Sequence, residues 1–161
     1  MKIIFLDIDG VLNVMLHDRD KYGSLFHPQF VYNLKRIIDK TEAKIVISSS
    51  WRMSGLETMQ NMWKDRDLPG EVIDITPDGW NLYKRGLVHR DYDRGHEIEH
   101  WLNTNDVEAY VIIDDDMDML EYQMPKLVLT RNNLDHEDCV DMGLGLTSKC
   151  ADKAIKILNV A

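Results

Sequence analysis

Apolar positions along this chain fall into two patterns. The first is the short unbroken run: Lys2 to Leu6 (KIIFL), Ala43 to Ile47 (AKIVI), Ala109 to Ile113 (AYVII) and Lys126 to Thr130 (KLVLT). These have the length of strands and lack the alternation of a sheet with one wet face, so they predict strands buried on both sides of a parallel sheet. Glu71 to Thr76 (EVIDIT) predicts a further strand, stopped by Pro77, Asp78 and Gly79. The second pattern is helical. Pro28 to Lys40 opens with proline and spaces Phe30, Leu34, Ile37 and Ile38 along one face. Gly55 to Asp67 reads as helix. Gly95 to Asn103 carries Ile98, Trp101 and Leu102 inward, and Ser148 to Leu158 carries Ala154, Ile155 and Leu158. Residues 13–27 and 78–92 show no clean period and read as a loop or flap and an irregular segment.

Strands alternating with helices imply βαβ units, and so an α/β fold with an open, mainly parallel sheet of about five strands and helices on both faces. The 161 residues predict a single domain spanning 1–161. Composition refines this in three ways. No apolar stretch approaches the roughly 20 residues of a membrane span, and acidic residues interrupt the first apolar run too early for a secretory signal. With Cys139 and Cys150 alone there is no disulfide framework, so a reducing cytoplasm is the expected compartment. The formal net charge of −9 argues against broad attraction to nucleic acid or anionic membrane, while leaving room for a local basic lip.

In open parallel sheets, ligands bind beyond the carboxyl ends of the strands, where the strand order reverses. The polar density of this sequence sits there. The first strand runs into Asp7-Ile8-Asp9-Gly10, the second into Ser48-Ser49-Ser50-Trp51-Arg52, the fourth into Asp114-Asp115-Asp116. In extended chain, positions i and i+2 point the same way, so Asp7 and Asp9 are expected to share one site. Carboxylates converging on a sheet edge repel unless a cation joins them, and Mg²⁺, a hard oxygen-seeking ion that completes its shell with substrate phosphate, suits them best. Serine hydroxyls and a cationic side chain are what a bound phosphate needs next. The chemistry this suggests is a phosphoryl transfer in which one aspartate attacks phosphorus and the other moves a proton.

Asp7-Ile8-Asp9-Gly10-Val11-Leu12 matches the DxDx[TV]L motif of the haloacid dehalogenase (HAD) superfamily, and the chain resembles HAD phosphatases over nearly its whole length. SSSWR, VIDITP, RGHEIEHWL and VIIDDD together look like the small HAD domain of Swiss Army knife RNA-repair proteins. The resemblance implies a Rossmann-like HAD fold with a minimal cap. It implies Asp7 as nucleophile and metal ligand, and Asp9 as general acid/base, giving its backbone carbonyl to the metal. It implies Ser49, with Ser48 as the alternative, as the phosphate-binding hydroxyl, and Asp115 with Asp114 as further metal ligands. The family's usual lysine is absent; Arg94 is the candidate for its role and Arg52 the alternative. An acid at position 9, which dehalogenases of the superfamily lack, implies a phosphomonoesterase. The implied substrate is a nucleic-acid end, such as a 3′-phosphate, or a nucleotide, taken in an open site.

Two further readings compete. His96-Glu97-Ile98-Glu99-His100 spells the HExxH signature of zinc peptidases. The helix places Ile98, Trp101 and Leu102 inward and both histidines toward water, which does not suit that chemistry. A non-catalytic phosphate-binding module is the other. The acidic run Asp135-His136-Glu137-Asp138-Cys139 reads as a solvated loop or helix start rather than a metal site. Trp80, Tyr83, Lys84, Arg85, His89, Arg90, Tyr92 and Arg94 interleave aromatics with cations, a composition that suits stacked bases and a phosphate backbone, and equally a solvated surface loop.

Overall fold

A computed structural model describes residues 1–13, 18–131 and 145–160. In chain order the elements begin with β1 (Lys2–Leu6), a hairpin of β2 (Arg19–Asp20) and β3 (Gly23–Ser24), α1 (Pro28–Thr41) and β4 (Lys44–Ile47). A 3₁₀ turn (Ser50–Ser54), α2 (Leu56–Asp65), β5 (Val72–Ile75), α3 (Gly79–Lys84) and α4 (Arg94–Asn103) follow. The chain continues through β6 (Ala109–Asp114), a second 3₁₀ turn (Glu121–Lys126), β7 (Leu127–Leu129) and α5 (Ser148–Asn159). The Asp135–Cys139 run lies outside the described residues, as do positions 14–17 of the expected flap. Among the described residues, no helix is long and apolar enough to cross a membrane.

The five apolar runs form one parallel sheet in the order β5-β4-β1-β6-β7. The first strand shows why they carry no polar alternation. Ile4 and Leu6 pack into a core with Phe30, Leu34 and Ile37 of α1, Met59 and Met62 of α2 and Ala154 of α5. Ile3 and Phe5 point the other way, onto Ile98 and Trp101 of α4. All four strand residues are fully buried, and each such side chain contributes about 1.5–3 kcal/mol. Phe5 meets Trp101 edge-on, with ring centroids 5.4 Å apart. The helices are thus divided unequally, with α1, α2 and α5 on one face and α4 on the other.

Helix ends follow local chemistry. The His27 side chain caps α1 by accepting from the Gln29 N–H, Pro28 fills the first turn, and Glu42 closes the helix in the left-handed region. Three segments depart from expectation. Residues 19–24 form a hairpin rather than loop; strands of two residues are too short to show a period. Residues 79–84 form α3, capped by Asp78, within a stretch expected to be irregular. The helix expected from Gly55 starts at Leu56 and is preceded by the 3₁₀ turn, because Gly55 adopts φ +94° and ends that turn.

From β1 the chain steps outward to β4 and β5, then returns to β6 on the other side of β1. The reversal falls at β1, so the tails of β1, β4 and β6 meet over one crevice.

Candidate active site

Backbone bonds lace these tails together. The Asp7 N–H donates to the Ile113 carbonyl at 3.0 Å, and the Ser48 N–H to the Leu6 carbonyl at 3.0 Å. From the end of β7, the Thr130 N–H donates to the Asp114 carbonyl at 3.0 Å and its hydroxyl to the Gly10 carbonyl at 2.8 Å. The result is a cluster in which Asp7, Asp114 and Asp115 each place a carboxylate oxygen within 4.8 Å of the others. Gly10 is required for it. Its φ is +77°, and a Cβ there would stand 2.4 Å from Asp115 Oδ2.

Asp7 and Asp114 are buried, at 6% and 1% exposure. Burial pushes the Asp7 carboxyl up to about 6, against the pull of the Arg94 guanidinium. Burial, then the neighbouring Asp7 charge, push Asp114 up to about 8. Arg94, the first residue of α4, reaches into the cluster. Its Nη1 donates to Asp7 Oδ1 at 3.2 Å and to the Ser48 carbonyl at 2.6 Å, and lies 3.5 Å from Asp114 Oδ2. Burial opposes the Arg94 charge, but Asp114 and Asp7, with Asp118 and Glu97, outweigh it and raise its pKa. Arg131 pairs with Asp115 Oδ2 at 3.1 Å from the solvent side.

Polar capacity is left over at this edge. Asp114 Oδ2 and Ser48 Oγ are buried and accept or donate no hydrogen bond, a state that folded proteins rarely tolerate without a reason. An all-carboxylate donor set with a spare buried oxygen fits a hard divalent cation such as Mg²⁺ and does not fit a soft metal. The Ser49 hydroxyl accepts from the Trp51 N–H at 3.2 Å, capping the 3₁₀ turn, and its nearness to Asp7 slightly favours the charged carboxylate.

Residues 3–138 match the family described as the HAD domain in Swiss Army Knife RNA repair proteins. The chain belongs to this family. Neither the curated proteins nor the solved structures contain a significant match to it. Membership indicates a hydrolase of the phosphatase type, and it explains the five-stranded Rossmann-like sheet.

Within the HAD framework, Asp9 and Arg52 sit apart from the group formed by Asp7 and Arg94. Asp9 does not share the carboxylate cluster. The strand ends at Leu6, and the chain then turns, with the Val11 and Leu12 N–H groups both donating to the Ile8 carbonyl. The Asp9 carboxylate is left exposed, where Oδ1 accepts from Asn13 Nδ2 at 2.7 Å and from Trp51 Nε1 at 3.1 Å. Arg52 is not offered to phosphate. It is 6% exposed, pairs with Glu97 Oε1 at 2.9 Å, and donates to the carbonyls of Thr76, Ser48 and Ser49. That leaves Arg94 as the cation facing Asp7.

The HExxH reading falls on the same contacts. Glu97, which would be the base of a peptidase, is buried against Arg52 and accepts from the Gly79 N–H at 2.7 Å. Burial raises its pKa and Arg52 opposes the rise. His96 Nδ1 accepts from the Asp93 N–H in the capping box of α4. Among the described residues, the group placed to hold a metal is Asp7, Asp114 and Asp115, and neither histidine belongs to it.

Sequence reasoning passed over Glu97, Trp51 and Arg131. Glu97 stands one turn before Trp101 on the inward face, a spacing that could have marked it. Trp51 packs its ring against the main core. It is half-buried, and its indole N–H faces the site.

Proposed function

We propose that this chain is a Mg²⁺-dependent phosphomonoesterase acting through an aspartyl-phosphate on Asp7. The observation that carries the reading is the cluster of three carboxylates around one arginine, with Asp114 Oδ2 buried, paired to Arg94 by charge alone and accepting no hydrogen bond. Asp7, Asp114, Asp115 and the Asp9 carbonyl would hold the ion. Bound there, Mg²⁺ supplies positive charge to the phosphate oxygens and relieves the carboxylate repulsion. Asp7 attacks phosphorus, and Arg94 neutralises charge on the transferring group. Asp9 gives a proton to the leaving oxygen, then takes one from the water that cleaves the aspartyl-phosphate. Ser49 and Ser48 hold the phosphate oxygens by their hydroxyls. Arginine in place of lysine retains the charge and adds a planar pair of donors.

The cap is minimal. The β2–β3 hairpin packs beside the 3₁₀ turn, through Gly23 against the Trp51 ring, and the site suits a large substrate. Trp80 is 51% exposed, with the Tyr83 ring 5.6 Å away and Lys84 Nζ 5.8 Å from its centroid. The segment after α3 runs through Arg85, Arg90 and Tyr92 to Arg94, so aromatics and cations precede the site's cation along the chain. This favours a nucleic-acid end, such as a 3′-phosphate, or a nucleotide.

The test is hydrolysis of 4-nitrophenyl phosphate, a nucleotide and a 3′-phosphorylated oligonucleotide, with Mg²⁺ and with EDTA, by the wild type and Asp7→Asn. Mg²⁺-dependent release of phosphate, lost in the variant, is expected, together with a phosphoryl group on the Asp7 peptide after acid quench. Turnover that survives Asp7→Asn overturns the reading. Mg²⁺ binding without turnover on any of the three points to the phosphate-binding module instead.

A further inference from the structure

We infer that Trp51 is a positioning residue for Asp9, and that the β2–β3 hairpin together with Arg66 is the clamp that fixes its ring. The inference rests on the reading above, in which Asp9 moves the proton. Asp9 is exposed, and an exposed carboxylate ordinarily samples several rotamers. Here two side-chain donors, Asn13 Nδ2 and Trp51 Nε1, converge on Oδ1 alone. Among the described residues nothing bonds Oδ2. One oxygen is anchored and the other is left to carry the proton.

The indole ring is held by its own neighbours. Its ring lies 5.8 Å from Phe26, and the Arg66 guanidinium stands 5.9 Å from the Trp51 ring and 4.6 Å from Phe26. Arg66 in turn grips the hairpin, donating twice to the Asp20 carboxylate at 2.8 and 2.7 Å and once to the Gly23 carbonyl at 3.1 Å. Those bonds hold the Asp20 carboxyl down to about 2. At Gly23, where φ is +124°, a Cβ would meet the Trp51 ring at 3.0 Å, so the hairpin backbone lies flush on the indole. The hairpin is therefore anchored to α2 and spends its contact on Trp51.

The proton accounting is closed by one oxygen. As Asp7 bonds to phosphorus and the bond to the leaving oxygen breaks, the proton on Asp9 Oδ2 passes to that oxygen. Water then bonds to phosphorus, the bond to Asp7 breaks, and the proton lost by water returns to Oδ2. The first transfer matters most when the leaving oxygen is a strong base. A loosely held Asp9 therefore costs more on an alkyl phosphate than on 4-nitrophenyl phosphate.

The experiment compares Trp51→Phe with the wild type on 4-nitrophenyl, phenyl and alkyl phosphates. The variant keeps a ring for Phe26 and Arg66 but has no N–H. The ratio of kcat/KM between alkyl and 4-nitrophenyl phosphate should fall about 10-fold, from loss of one hydrogen bond to Asp9. Asp9→Asn should move the ratio further the same way. An equal loss on all three substrates, or an unchanged ratio, overturns the inference. If the wild type hydrolyses none of them, the functional reading fails, and the positional claim is decided separately by the indole ¹⁵N–¹H resonance that disappears in Trp51→Phe. That resonance should shift in Asp9→Asn; if it stays in place, the inference is overturned.

Discussion

Two groups of buried charge lie a few residues apart at the same edge of the sheet, and they are built differently. Around Arg52 every charge is answered. Its guanidinium meets Glu97 and the carbonyls of Ser48, Ser49 and Thr76, and Glu97 also accepts from the Gly79 N–H. Around Arg94 three carboxylates crowd together, and Asp114 Oδ2 and Ser48 Oγ are left without a hydrogen bond. Burial alone does not separate the two, since Arg52, Glu97, Asp7 and Asp114 are all buried. Satisfaction does. The closed group ties the 3₁₀ turn to α4 and the start of α3. The open group is waiting for ligands. The Ser48 carbonyl joins them, because it accepts from both arginines.

The sharpest way to break the contrast is to remove a charge from each side. Asp7→Asn should lower kcat by at least about 10³-fold, as loss of a nucleophile does, without loosening the fold. Arg52→Leu should act the opposite way, lowering stability by about 3–5 kcal/mol, because it strands the Glu97 charge and three carbonyls in the interior. Urea unfolding of both variants, beside their turnover, checks this. A Glu97–Arg52 pair that can be cut at no cost would erase the distinction.

The pH dependence of the metal-free protein follows from the open group. Asp7 and Asp114 hold their protons more tightly folded than unfolded, at about 6 and about 8. Their stabilisation is thus fully present below about pH 4, the unfolded range, and is lost progressively as pH rises from there to about 6 for Asp7 and about 8 for Asp114. The melting temperature in EDTA should fall across that interval, and Asp114→Asn should flatten the fall. Smaller still is Gly10→Ala, which forces a left-handed φ and drives a methyl into Asp115. A loss of about 1–3 kcal/mol is expected by urea titration.

The same contrast separates what could be read in the sequence from what could not. The strand runs and the acids and serines at their ends were legible, because a doubly buried strand has no polar alternation and its tail stands out against it. The preference for Arg94 over Arg52 rested on the resemblance, since each lies beside a plausible phosphate site and only the partners of each guanidinium separate them. Glu97 was hidden inside an HExxH pattern. The Asp9 carboxylate stands apart from the three-carboxylate group because i, i+2 alternation stops where the strand stops, at Leu6. Nothing in the spacing of Trp51 marks the contact its indole N–H makes with Asp9. The hairpin offered no signal at all, as its strands span two residues each.

The claim that the Arg94 group is open and the Arg52 group closed is tested most directly by melting the protein with and without Mg²⁺ at pH 8. Magnesium at ten times its Kd should raise the wild-type melting temperature by about 3–6 °C. The rise should vanish in Asp114→Asn and persist in Glu97→Gln. No rise in the wild type, or one undiminished in Asp114→Asn, contradicts the account.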